Sequence, residues 1–199
     1  MNSEPMFRYI LIILFMIGLA VSIYFRRKAQ VTSGDKIDRH QEGDITMIAL
    51  RIGGILTWLT ILAYMIYPPL VKWASIQLPD WIRWIGAGMG MIAVLLLIWM
   101  FNSLGMNITD TVTIRKSHTL VTHGPYRWIR HPLYTFGVLL FLSFSLITDN
   151  WFILVFGIPT LGILLRRTTI EESALLARFG EEYRRYSERT GRFLPRMGK

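Results

Sequence analysis

Five hydrophobic runs divide this 199-residue chain and constrain its fold more than any other feature. They comprise residues 9–25, 47–67, 84–101, 133–147 and 151–165. The first three hold 17, 21 and 18 residues, close to the ~20 that an α-helix needs to cross about 30 Å of hydrocarbon. Hydrophobic residues make up 52% of the chain, above the share typical of soluble domains. We therefore predict an all-α integral membrane protein with about five transmembrane helices.

The last two runs are short, with 15 residues each, and only residues 148–150 separate them. As helices they reach only about 22 Å, so their ends must recruit polar residues into the membrane boundary. Arg130-His131-Pro132 precedes one run and Arg166-Arg167 follows the other. Because the two runs form one hairpin, we expect these charged ends to be neighbours and to line a protein-enclosed polar space.

Lysine and arginine are distributed asymmetrically between alternate loops. Residues 26–46 carry five, residues 102–131 carry four and residues 166–199 carry nine of the 22, whereas the loops 68–80 and 148–150 carry Lys72 alone. Short cytoplasmic loops keep an excess of positive charge. We predict that the N-terminus lies outside, that the C-terminus is cytoplasmic, and that the run 9–25 is a retained anchor.

Composition excludes several classes of site. The chain has no cysteine, which excludes disulfides, thiolate metal sites and cysteine nucleophiles, and no metal site is predicted. The net charge of +9 comes from basic residues beside hydrophobic runs, so we predict membrane lipids and no nucleic acid as partners. Without repeats or linkers, residues 1–199 form a single membrane domain, in which 102–132 and 166–199 are cytoplasmic site-forming segments.

The segment 118–134 reads HTLVTHGPYRWIRHPLY and concentrates three of the four histidines. An interfacial belt would account for its aromatic residues and arginines. It would not account for a turn at His123-Gly124-Pro125, or for Pro132 in the first turn of a helix. A helix N-terminus is a natural site for an anionic ligand group.

A second polar cluster follows the last run. Arg167 and Glu171 are one helical turn apart and share a face, with Glu172 beside them. Farther on, Leu175, Phe179, Tyr183 and Tyr186 recur on one helical face, and Gly180 predicts a bend. The segment Gly86-Ala-Gly88-Met-Gly90 matches the G-x-G-x-G pattern of dinucleotide-binding loops, but it lies at the start of a hydrophobic run. We therefore interpret Gly86 and Gly90 as a helix-packing pair.

Several of these motifs resemble those of the isoprenylcysteine carboxyl methyltransferases, and more broadly the membrane methyltransferases that include phospholipid N-methyltransferases. The resemblance covers roughly the last 85 residues. It rests on His118-Thr119-Leu120-Val121, Gly124 to Tyr126, Arg130-His131-Pro132-x-Tyr134, Glu171-Glu172, Phe179-Gly180-Glu181-Glu182-Tyr183, Tyr186 and Pro195. Some sterol reductases share a looser form of the tail. The eukaryotic carboxyl methyltransferases have additional N-terminal spans, so this chain is similar to a short core form.

The resemblance implies a site for S-adenosylmethionine, which leaves as S-adenosylhomocysteine. The cofactor-binding residues would be His118, Thr119, Leu120, Val121, His123, Gly124, Tyr126, Arg130, His131, Pro132, Leu133, Tyr134 and Glu171. Arg167 matches the position that serves the substrate carboxylate, and Glu171 and Glu172 complete the catalytic set. The substrate would be a lipid-modified molecule that enters from the bilayer.

Three interpretations remain open. The first is methyl esterification of a prenylated cysteine or a similar lipid-linked carboxylate, which needs no general base because a carboxylate is already an anion at neutral pH. A phospholipid amine N-methyltransferase would use the same cofactor pocket, with Glu172 better suited than Arg167 to a protonated amine. An NADPH-dependent membrane reductase is the third, and a non-enzymatic membrane scaffold is the alternative to all three.

Overall fold

The computed structural model describes residues 3–33, 44–105 and 119–196. Within these ranges the regular structure is helical, apart from two isolated β-bridges. The elements in order are α1 (Glu4–Ser33), α2 (Asp44–Ile66), a 3₁₀ helix (Pro68–Ala74), α3 (Asp80–Leu104), a 3₁₀ turn (Gly124–Arg127), α4 (Pro132–Thr148), α5 (Trp151–Phe179) and α6 (Glu181–Arg189). The all-helical prediction is confirmed for the described residues.

Each predicted run lies within one helix, apart from Tyr67 at the end of the second run, and all five helices extend beyond their runs at one end or both. The last run continues as a helix to Phe179, where Gly180 ends it at a φ of +52°. Such a φ strains any residue with a Cβ, so glycine allows the chain to turn and begin α6. The bend predicted at Gly180 is therefore confirmed.

Two helical stretches are long and apolar enough to cross a membrane, judged by length and composition: Glu4–Phe25 in α1 and Asp80–Leu104 in α3. Two other helices contain shorter apolar stretches, Ile52–Ile66 and Pro132–Ile147. Large apolar side chains point outward from several helices, including Ile13, Ile55 and Leu95 at 57%, 57% and 59% exposure. Lipid would cover such surfaces, and the number of five spans stays a prediction.

Helices α3 and α4 form the most extensive helix pair and approach closely at a glycine face. A Cβ added to Gly86 would lie 2.7 Å from Leu146 Cβ and 3.1 Å from Ile147 N. A Cβ on Gly90 would collide with Ser143 Oγ and lie 2.7 Å from Leu14 Cδ1. Small residues permit this separation, which confirms the interpretation of Gly86 and Gly90 as a packing pair.

The main hydrophobic core lies where α1, α2, α3 and α4 meet. It includes the buried residues Phe7, Leu11, Ile61, Val94 and Phe144. A second cluster, which includes Met100, Phe101 and Phe136, packs near the first turn of α4 and contacts Tyr126. This second cluster links α3 to the segment predicted to form the site.

We expect Gly86→Ala to lower the midpoint of thermal unfolding in detergent, because overpacking a close backbone contact costs about 1–3 kcal/mol. Gly88→Ala is the matched control, since nothing lies within 4 Å of a Cβ at that position. Both changes gain the same helix propensity, about 1 kcal/mol. Equal melting temperatures for the two variants would contradict the packing role of Gly86.

Candidate functional site

Residues at the start of α4 meet two carboxylates on the extension of α5. Arg130 Nε donates to Glu172 Oε1 at 3.0 Å, and His131 Nε2 lies 3.0 Å from the same oxygen. His131 Nδ1 is 3.5 Å from Glu171 Oε2. Tyr134 Oη donates to Glu171 Oε1 at 2.8 Å. The two clusters predicted from the sequence are therefore brought together.

The electrostatics of this cluster favour its charged forms. Burial by itself would lower the pKa of His131, but hydrogen bonds and attraction to Glu171 and Glu172 outweigh burial and raise that pKa above its ordinary 6.5. Burial by itself would raise the pKa of Glu172, yet hydrogen bonds from His131 and Arg130 lower it to about 2. The two carboxylates thus favour the protonated form of the imidazole that lies between them.

The segment after α6 runs alongside the residues that precede α4. Arg130 N donates to the Gly191 carbonyl at 2.8 Å, and His131 N donates to the Arg192 carbonyl at 3.0 Å. Trp128 completes this short parallel pairing, because its carbonyl accepts from Gly191 N at 3.2 Å. The C-terminal tail therefore forms one wall of the site.

The side chain of Arg130 adds a second attachment to the tail. Its Nη1 donates to the Ser187 carbonyl at 2.7 Å and also to the Thr190 carbonyl. With Nε on Glu172, one guanidinium joins the start of α4, the extension of α5 and the end of α6. A planar group with five donors is suited to such a junction.

Arg192 is a residue of this site that the sequence analysis missed. Its Nη2 donates to Thr169 Oγ1 at 2.9 Å, and its Nε lies 3.4 Å from Glu172 Oε1. The side chain is 35% exposed, so part of it is accessible from outside the cluster. The sequence offers one weak signal, its position three residues before Pro195 in the tail motif.

A cavity of about 100 Å³ adjoins the cluster. Its lining includes the predicted residues Thr119, Leu120, Val121, Tyr126 and Arg130, together with Tyr183 and Tyr186 from the tail. Tyr186 Oη donates to the Tyr126 carbonyl at 2.7 Å and so fixes α6 over the cavity.

The hydroxyl of Tyr183 is the unusual group in this cavity wall. It is buried and has no hydrogen-bond partner within the described part of the chain. Burial, with a contribution from Glu172, raises the pKa of Tyr183 to about 12, so the group is a neutral donor. A buried polar atom without a partner is costly, and a bound ligand would remove that cost.

Of the other residues predicted to bind the cofactor, two lie where the sequence placed them and two are exposed. Pro132 is buried as the first residue of α4, and Gly124 opens the 3₁₀ turn at a φ of +61°, both as predicted. His123 is exposed, and Leu133 is 40% exposed, so neither joins the cluster or lines the cavity. Their assignment as cofactor-binding residues stays a prediction.

Two predicted site residues lie outside what the structure describes. His118 belongs to the segment 106–118, which is outside the described residues. Arg167 lies in α5 one turn before Glu171, but its side chain is likewise outside the description. The predicted role of Arg167 therefore stays a prediction.

The chain matches a known sequence family and a solved membrane-protein fold. The sequence model of the phospholipid methyltransferase family matches residues 81–182, about half of the chain. The structure of the eukaryotic intramembrane Ras methyltransferase ICMT aligns with a TM-score of 0.55 over 94% of this chain and 68% of that chain. At 22% identity this likeness establishes the fold.

Two curated relatives have different acceptors in their names. The protein-S-isoprenylcysteine O-methyltransferase of Tribolium castaneum is 34% identical over 94 residues, or 46% of this chain. The methanethiol S-methyltransferase of Mycobacterium tuberculosis is 36% identical over 73 residues, or 37% of this chain. The chain spans about a third of the length of these relatives, 34% and 29% respectively.

The raised pKa of His131 predicts a pH-dependent stability. The stabilisation from its protonated form is fully present below the ordinary value of 6.5 and is lost as the pH rises through the raised folded value. We expect His131→Gln to lower the thermal midpoint more at pH 5.5 than at pH 9. Melting curves at both pH values for the protein and the variant test this, and an equal loss at both values would contradict it.

Proposed function

Because the chain belongs to the phospholipid methyltransferase family, we propose that it transfers a methyl group from S-adenosylmethionine to a lipid-linked carboxylate. The single observation that carries this proposal is the convergence of Arg130 and His131 with Glu171 and Glu172 beside a cavity, within the region that the family model matches. The isoprenylcysteine O-methyltransferase of Tribolium castaneum supports a prenylated cysteine as the acceptor.

The side chains around the cavity suit S-adenosylmethionine in chemistry, but a volume of about 100 Å³ is below the range of about 300–1,000 Å³ for ligand sites, so the cofactor would extend beyond this cavity. The cavity offers apolar side chains from Leu120 and Val121, the aromatic ring of Tyr126 and the unpartnered hydroxyl of Tyr183. Glu171 supplies a carboxylate for the ribose hydroxyls or the ammonium of the cofactor. When bound, the cofactor supplies a methyl group on a sulfonium, which a carboxylate attacks without prior loss of a proton.

The hydrogen bonds and the lowered pKa of Glu172 favour a carboxylate acceptor over an amine. Its Oε1 already receives Arg130 and His131, and its pKa of about 2 makes it a weak base. It is therefore poorly suited to accept a proton from an ammonium acceptor. A carboxylate acceptor does not have to lose a proton. For such an acceptor, alignment of the reacting atoms can lower the activation barrier by about 7–11 kcal/mol.

Arginine side chains are suited to hold the acceptor. A guanidinium binds a carboxylate through two parallel hydrogen bonds and so fixes its orientation as well as its charge. Arg192 lies beside Glu172 with part of its side chain exposed, and we propose that it serves the acceptor together with Arg167. The acceptor would enter from the bilayer and the cofactor from the aqueous side.

A phospholipid amine is the second candidate acceptor, favoured by the description of the matching family. It would use the same cofactor cavity. The chemical form of the product separates the two, because a methyl ester is labile to base and an N-methyl group is not.

We expect tritiated methyl from S-adenosylmethionine to enter a base-labile ester when the protein is given a farnesylated N-acetylcysteine. Glu171→Gln should lower kcat/KM by about 100-fold, the scale of loss when a reacting group is misplaced. Glu182→Gln, on the exposed side of α6, is the matched control and should retain activity.

Two results would count against this proposal. Full activity of Glu171→Gln would show that the site is assigned to the wrong residues. Radioactivity recovered only in base-stable phospholipid would replace the carboxylate acceptor with the amine.

We also propose five spans with the N-terminus outside and the C-terminus cytoplasmic, supported by the distribution of basic residues. Single cysteines at the exposed positions Gln77 and Glu188 test this in a chain without native cysteine. In right-side-out vesicles, an impermeant maleimide should label Gln77→Cys at once and Glu188→Cys only after permeabilisation. The reverse pattern would invert the topology.

A further inference from the structure

A second cavity, of about 310 Å³, lies at the opposite end of the helices from the candidate site. Its lining includes Glu4, Tyr64, Lys72, Thr148 and Asp149. Helix α4 starts beside the candidate site and has 17 residues, the last of which lines this cavity. At 1.5 Å per residue the two places are about 25 Å apart, so methyl transfer does not account for the second cavity.

One wall carries a carboxylate held in a fixed position. Asp149 has a φ of +52° between α4 and α5. Its Oδ1 accepts from Leu78 N at 2.8 Å, and its Oδ2 accepts from Gln77 N at 3.2 Å and from Ser75 Oγ. These are neutral donors, so the negative charge of Asp149 is held in place without a cation bonded to it. If Asp149 served only to anchor the loop 75–78, its hydrogen bonds would be explained, but the presence of its negative charge in the cavity lining would not.

A second carboxylate is placed by a buried arginine. Arg83 is 5% exposed, and it donates to Glu4 Oε2 at 2.8 Å and to Glu4 Oε1 at 3.2 Å. The same guanidinium donates to the Ile147 carbonyl at 3.0 Å and lies 4.1 Å from the ring centre of Phe7. Arg83 thus pairs with Glu4, and its charge also attracts Asp149 from a distance. Among the described residues that line the cavity, Lys72 is the cation available to an incoming group.

The side-chain ammonium of Lys72 has no hydrogen bond or ion pair with any residue in the described ranges, and Lys72 lines the same cavity as Asp149. The two opposite charges therefore share one cavity without neutralising each other through direct contact. The molecule that complements them carries a cation for the carboxylate and an anion for the ammonium. A zwitterion meets both requirements.

Tryptophans indicate the depth of this cavity in the membrane. Four of the seven lie at this end of the molecule with exposed side chains: Trp73, Trp81, Trp84 and Trp151. Tryptophan is enriched at headgroup depth, where one edge of the ring is wet and the rest is apolar. The cavity therefore opens at the depth of the phospholipid headgroups.

We propose that this cavity binds an ammonium–phosphate zwitterion of the phosphoethanolamine type, with the ammonium at Asp149 and Glu4 and the phosphate at Lys72. A volume of 310 Å³ is at the lower end of the range for ligand sites, about 300–1,000 Å³. A primary ammonium donates hydrogen bonds that a trimethylated amine does not. The binding site is independent of the proposed methyl transfer.

Calorimetric titration of the detergent-purified full chain with dihexanoyl phosphatidylethanolamine tests the proposal. We expect saturable binding that is at least ten-fold weaker for the matching phosphatidylglycerol, which lacks the ammonium, and for phosphatidylcholine. Lys72→Met should weaken phosphatidylethanolamine binding at least ten-fold. Lys28→Met, which removes the same charge near Tyr24 on α1, should leave it unchanged.

The outcomes separate the proposal from nonspecific lipid contact. Equal affinities for phosphatidylethanolamine and phosphatidylglycerol in the unaltered protein would overturn it, and so would equal affinities of the two lysine variants. Titration with free O-phosphoethanolamine then distinguishes a soluble zwitterion from a lipid headgroup as the natural ligand. Binding as tight as that of the lipid identifies a soluble zwitterion, and binding of the lipid alone identifies a headgroup.

Discussion

The candidate site depends on the hydrogen bonds that the guanidinium of Arg130 donates. This residue holds Glu172 on α5 and the carbonyls of Ser187 and Thr190 at the end of α6, while its own backbone leads into α4. Removing one partner of a largely buried ion pair costs about 3–5 kcal/mol, because the other charge is left uncompensated. The start of α4, the extension of α5 and the tail therefore keep their positions relative to one another through this one side chain.

That junction has a fixed position only because α4 is held against α3. The backbone contact at Gly86 sets the separation of the two helices, and Ser143 Oγ donates to the Gly86 carbonyl at 2.8 Å. Interhelical contacts of small residues position helices where apolar side chains contribute little specificity, because lipid is equally apolar. Packing between the first third of α3 and the last turns of α4 thus helps to determine where Arg130 and His131 meet the carboxylates of α5.

Sequence predicted the local features and the convergence of the two polar clusters, but it did not predict the pairing of the tail with the residues before α4. The helical runs follow from hydropathy, and the bend at Gly180 follows from a conformation that favours glycine. Helical spacing also pointed to a partnership of Arg167 with Glu171, which stays a prediction because the side chain of Arg167 lies outside the described residues. The contacts of Glu171 with Tyr134 and His131 join α5 to the start of α4, and no local spacing indicates them. The tail pairs with the residues before α4 through backbone groups some 60 positions apart, as in the bond from Arg130 N to Gly191. Such pairing leaves no side-chain pattern, so the position of Arg192 before Pro195 was too weak a signal to assign it to the site.

The charge balance of the cluster bears on the proposed acceptor. With His131 protonated, the described side chains contribute three cations there, Arg130, His131 and Arg192, against the two carboxylates Glu171 and Glu172. Three of these contacts fall on one oxygen of Glu172, so the excess charge is positive and lies beside the partly exposed Arg192. An ammonium acceptor would meet that positive charge on leaving water, whereas a carboxylate would exchange its hydration for a guanidinium. Loss of water costs free energy for both acceptors, but attraction to Arg192 offsets that cost for the carboxylate and not for the ammonium, independently of which lipid carries it.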